Sequence, residues 1–114
     1  VRGNHDKNAG DPPLDLNIET VDEPYLIGDF ALQHIPAPHP THHVIAGHLH
    51  PTFRLLGKGR QRLILPCFHH QAHMTLLPSF GDFTGGFVIE NKPGNFICVT
   101  DGQYVWPVSV SLAD

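Results

Sequence analysis

The 114-residue sequence has no apolar run approaching the roughly 20 residues of a membrane-crossing helix. No stretch has the plan of a secretory leader. Lysine and arginine number 7 against 11 aspartates and glutamates, a net charge of −4, so the global basic signature of many nucleic-acid-binding domains is missing. Charged residues make up only 16% and hydrophobic residues 40%, a balance too apolar for a disordered chain and sufficient for one small domain. Cysteine is confined to Cys67 and Cys98. Their separation excludes a thiolate zinc site, and their apolar, strand-like settings fit two free thiols in a reducing cytoplasm better than a disulfide. Neither GxGxxG nor GxxxxGK[ST] occurs, so no nucleotide-cradling loop is signalled.

Punctuation and imidazole are what the sequence does have. Glycine and proline each occur 11 times and histidine ten times, which favours strands and loops over a helical bundle. Three hairpins are expected. Tyr25-Leu26-Ile27 and Phe30-Ala31-Leu32-Gln33-His34 flank Gly28-Asp29, a type II′ signal; residues 52–56 and 61–65 flank Gly57-Lys58-Gly59; residues 96–100 and 103–106 flank Asp101-Gly102. Leu14, Ile18 and Val21 have weak helical spacing, enough for one short turn. The acids Asp11, Asp15, Glu19, Asp22 and Glu23 have no tight spacing and read as a solvated face. His42-His43 and His69-His70 fit solvated loops, with residues 69–73 forming a tight turn and residues 74–77 a strand.

The stretch Val44-Ile45-Ala46-Gly47-His48-Leu49-His50-Pro51 organises the rest. Val44-Ile45-Ala46 reads as a buried strand end, Gly47 breaks it, and Pro51 stops its continuation. In extended chain, residues i and i+2 face the same side, which would aim His48 and His50 at one volume. His34 ends a strand ahead of a proline-rich loop, and Val1-Arg2-Gly3-Asn4-His5-Asp6 reads as a strand tip running into a loop. Strand ends gathered on one sheet edge are where α/β proteins place their sites. Oxygen and nitrogen donors without thiolate suit Mn²⁺, Fe or Zn²⁺. His5 would serve as a proton donor if Asp6 orients it. The hairpin carrying Arg54, Lys58, Arg60 and Arg62 is read either as a charged edge that discourages aggregation or as a rim for substrate phosphate or nucleic acid.

Gly3-Asn4-His5-Asp6, His34 within Leu32-Gln33-His34-Ile35-Pro36, and Gly47-His48-Leu49-His50 together resemble, in order and spacing, signature motifs of calcineurin-like metallophosphoesterases. The run from Arg60 to Phe68, followed by residues 77–86, is similar to the bacterial ligase-associated DNA damage response endonucleases. The resemblance implies an α/β fold, a sandwich of two mixed sheets flanked by helices. Residues 1–114 would be its strand-rich C-terminal half. It implies two divalent ions sharing a hydroxide that attacks phosphorus in line, with Asn4, His34 and His48 on one ion, His50 on the other, and His5 with Asp6 assisting the leaving oxygen. It further implies a phosphodiester substrate such as DNA, a role in DNA repair alongside a ligase, and a first half carrying Asp-x-His and Gly-Asp motifs that supply the remaining ligands. Nothing precedes Val1 here, so the 114 residues alone are expected to be inactive and to leave a sheet face uncovered. A small-molecule phosphodiesterase and a non-catalytic scaffold are the alternatives.

Overall fold

The computed structural model describes residues 1–3, 14–57, 59, 61–79 and 86–108. Among them the chain is strand-rich, and its helical content is one 3-10 turn at Leu14–Leu16. The expected short turn is therefore present, but it closes after three residues.

Strands β1 (Tyr25–Ile27) and β2 (Phe30–Gln33) form the first hairpin. Gly28 takes φ +56° while Asp29 does not enter the left-handed region, the pattern of a type II′ turn. From β2 the sheet runs parallel through β3 (His43–Ala46) to β6 (Met74–Leu76). It then turns antiparallel through β5 (Arg62–His70), β8 (Phe96–Thr100) and β9 (Val105–Pro107). A smaller sheet joins β4 (Pro51–Leu56) to the first half of β5 and, in parallel, to β7 (Phe87–Val88). The mixed sheet is thus observed.

β5 is longer than the sequence suggests. Residues 62–66 pair with β4 and residues 67–70 with β8. The strand runs straight through Pro66, the last of its residues paired with β4. Proline donates no ladder hydrogen bond, and at this handover its missing N–H does not end the strand. The tight turn expected over residues 69–73 shrinks to Gln71–His73, closed by the Gln71 N–H on the Met74 carbonyl at 2.8 Å. Pro51 likewise opens a strand rather than merely ending one.

Alternation builds the core. Ala31, Val44, Ala46 and Leu76 form one buried cluster, with Met74 packed against it. Cys67, Ile89, Ile97 and Val99 form another, flanked by Phe53, Leu55, Leu65 and Val108. Leu63, Leu65, Cys67 and His69 share a face of β5 at period two, and His69 is 8% exposed. The solvated-loop reading of His69 is corrected by this: it occupies a core-facing position. Both cysteines are free. Burial, and then the neighbouring Cys98, pushes the Cys67 thiol up to about 12.

The β8–β9 connection spans four residues rather than two, because Thr100 pairs with Val105. The Asp101 carboxylate accepts the N–H groups of Tyr104 at 2.8 Å and Gln103 at 2.9 Å, and these bonds hold it below the usual carboxylate range.

The molecule is a thin slab, 51 × 32 × 21 Å, with a radius of gyration of 16.1 Å. A compact domain of about this length has roughly 13 Å. Large apolar side chains stand exposed along both faces, among them Leu26, Phe30, Leu63, Phe87, Phe96 and Trp106.

Candidate metal centre

Parallel pairing in register creates the site. Gln33 lies opposite Ala46, so β2 and β3 end at the same level of the sheet. The Leu77 N–H reaches the Ala46 carbonyl at 2.8 Å and closes β6 at that level as well. Just beyond, His34, one residue past Gln33, meets His48, two residues past Ala46. His34 Nε2 lies 3.1 Å from His48 Nδ1, and the rings contact edge to face with centroids 4.9 Å apart. One nitrogen donates its N–H and the other accepts. Two imidazole nitrogens about 2.1 Å from a common ion stand at most about 4.2 Å apart, so a 3.1 Å separation fits a shared cation.

The backbone around His48 is not extended. The Leu49 N–H returns to the Gly47 carbonyl at 2.9 Å, and His48 at its centre has φ +73°. This is the strained form of γ-turn. His50 follows with φ +50°, and its carbonyl accepts the Phe87 N–H at 3.0 Å, which ties the loop to β7. The same-side reading for His48 and His50 assumed extended backbone and does not hold here. Strain of this kind costs on the order of 1–3 kcal/mol per residue and clusters at functional sites.

His34 is held by its backbone. The Glu23 carboxylate accepts the N–H groups of His34 and Ile35, each at 3.0 Å, through the same oxygen. From the other side, Gln33 Nε2 donates to the carbonyls of Ile35 and Ala37, each at 3.1 Å. Arg2 pairs with Asp22 at 3.5 Å and its N–H reaches the Val21 carbonyl at 3.0 Å. Asp22 and Glu23 are exposed, as the solvated-face reading has it, and each also has a specific partner.

Asn4, His5, Asp6, Lys58 and Arg60 lie outside the described residues. Of the others singled out in sequence, His34 and His48 converge. Among the described residues no three His, Cys, Asp or Glu gather as a metal-binding group, so His50 does not join that pair. Arg54 and Arg62 share one face of the β4–β5 ladder, because Leu56 lies opposite Arg62 and Arg54 lies two residues from Leu56.

Two histidine features escaped the sequence. His43 Nε2 and His70 Nδ1 both bond Thr75 Oγ1, at 2.8 and 2.7 Å, on the face opposite Val44. His69 Nε2 takes a hydrogen bond from Asn95 Nδ2 at 3.2 Å, while its Nδ1 is buried with no partner among the described residues. Burial, and then Lys92, lowers the pKa of His69. It lines a cavity of about 480 Å³ that also borders Leu49, Leu76, Phe87 and Ile89. Its position in the alternation Leu63, Leu65, Cys67 was the signal that could have found it.

No protein-family model and no curated protein matches the sequence. Among solved structures, the fold is similar to the crystal structure of the Pseudomonas putida nuclease MPE, with a TM-score of 0.78 and 50% sequence identity. The match covers 95% of this chain and 52% of that one. The chain therefore spans about half the length of the nuclease it resembles.

Proposed function

We propose that this chain is the C-terminal part of a metallophosphoesterase-type domain that hydrolyses phosphodiester bonds in nucleic acid. The observation that carries this reading is the 50% identity to a nuclease along 95% of the chain. The meeting of His34 and His48 at the ends of two in-register parallel strands supports a metal site there. The parent fold is the two-sheet sandwich, and the exposed apolar faces are where its other half packs.

In this reading His34, His48 and Asn4 hold one divalent cation and His50 contributes to a second, with Mn²⁺ the expected metal and Fe or Zn²⁺ as alternatives. When bound, such ions activate water and neutralise charge on the phosphoryl oxygens. His5, oriented by Asp6, donates a proton to the leaving oxygen. Arg54, Arg62 and their hairpin neighbours Lys58 and Arg60 meet the phosphates of the substrate, DNA in a cytoplasmic repair setting.

The test compares the full-length gene product with the 114-residue chain on supercoiled plasmid and on bis(p-nitrophenyl) phosphate, with Mn²⁺ added. Nicking by the full-length protein, its loss in His48→Ala, and silence of the 114 residues alone are expected. Cleavage of the small ester with plasmid untouched would move the substrate to small phosphodiesters. Inertness toward both would overturn the phosphoesterase reading.

A further inference from the structure

β2 ends at Gln33, and its partner strand turns away at Gly47, so the amides of His34 and Ile35 lie beyond the last rung of the β2–β3 ladder. By the β1–β2 register, in which Tyr25 lies opposite Leu32, Glu23 falls opposite His34 on the β1 side of β2. One carboxylate oxygen takes both N–H groups at 3.0 Å from a point eleven residues upstream. Gln33 fixes the carbonyls of the same loop. The backbone that carries the His34 ring is therefore fastened on its donor and its acceptor sides by two side chains.

The segment bearing Glu23 is itself tied on its other flank. Arg2 bonds the Val21 carbonyl and pairs with Asp22, and Arg2 leads directly into Gly3-Asn4-His5-Asp6. Residues 21–23 therefore stand between the stretch that opens that motif and the loop that carries His34. Charge-assisted bonds from a carboxylate to backbone N–H are among the stronger hydrogen bonds. Residues that orient a metal ligand typically change metal affinity when removed.

We propose that Glu23 is a positioning residue, whose carboxylate sets the backbone of His34 so that its ring meets His48. This rests on the metal-centre reading above but is tested first without metal. Long-range proton–nitrogen spectra of the imidazoles are recorded on the metal-free chain for wild type, Glu23→Ala, Glu23→Gln and, as a control for loss of an exposed carboxylate, Glu19→Ala. Zn²⁺ affinity is then measured by calorimetry.

In Glu23→Ala the His34 and His48 ring signals shift and Zn²⁺ affinity falls about tenfold, at the lower end of supporting-residue effects. Glu23→Gln restores both to near wild type, because the amide oxygen still accepts the two N–H groups. Glu19→Ala changes neither. Should Glu23→Ala fail to fold, Glu23→Asp, one methylene short of its amides, carries the same comparison. Unmoved His34 and His48 signals in Glu23→Ala would overturn the proposal. So would Glu23→Gln behaving as badly as Glu23→Ala. Full-length wild type that takes up no Zn²⁺, while the ring signals of the chain still respond to Glu23→Ala, would leave Glu23 as the positioning residue and sink the metal reading instead.

Discussion

His34 Nε2 and His48 Nδ1 face each other across 3.1 Å. Without metal one of these nitrogens must carry the shared proton, whereas a bridging cation needs a lone pair from both. Metal uptake therefore requires a tautomer change at one ring. Titrating Zn²⁺ into the chain should abolish the donor N–H signal of this pair. His34→Ala or His48→Ala should each weaken binding by more than the roughly 10–100-fold that loss of a supporting residue costs. Affinity unchanged in either variant would remove that histidine from the ligand set.

His48 offers a second measurement. At φ +73°, any side chain pays a steric penalty that glycine escapes. His48→Gly should be more stable than His48→Ala by about 1 kcal/mol, the reverse of the usual order in which glycine is the worse choice. Urea midpoints of the two variants decide it. An alanine variant as stable as the glycine variant would show that the turn relaxes once the imidazole is gone.

The buried His69 predicts an acid-sensitive fold. Its folded-state pKa lies below the 6.5 of a free histidine. Between the two values the unfolded chain binds more protons at this position than the folded one, so stability rises with pH across that window. The contribution is fully present above about 6.5 and drains away as pH falls toward the folded value. His69→Leu should flatten the fall in urea midpoint between about pH 7 and pH 5, and an unchanged slope would assign the acid sensitivity to other groups.

Arg54 and Arg62 share a face of the β4–β5 ladder. If that face meets phosphates, replacing both by alanine weakens DNA binding and lowers the salt slope by roughly one for each arginine that neutralised a phosphate. A slope equal to wild type would return the hairpin to the role of a guarded sheet edge.

Local signals carried far into the fold. Gly28-Asp29 marked the first hairpin, Val44-Ile45-Ala46 marked the strand before the site, and the strand-end placement of His34 and His48 anticipated their meeting. What local reading lost was set by partners distant in sequence. A proline such as Pro66 ends most strands, but here β8 takes over the pairing from β4 at that residue. His69 sits beside a second histidine and looks solvated until Leu76 and Ile97 flank it in the ladder and Asn95 reaches its ring. Glu23 is one acid among five until the loop eleven residues on delivers two amides to it. The left-handed turn at His48 has no glycine or asparagine to announce it. The Asp101-Gly102 signal placed a turn correctly, yet Thr100 and Asp101 bonded across it and widened it to four residues.

β5 keeps register with β4, β6 and β8 at once. Because side chains alternate across a strand, sliding it by a single residue would turn Cys67 and His69 outward and bring Arg62, Ile64 and Phe68 in their place. All three ladders would misalign together, so no partial slip is tolerated. The arginine-bearing tip at one end and the histidine-lined hollow at the other are thereby locked in phase, and a lesion in the middle of this strand should be felt at both.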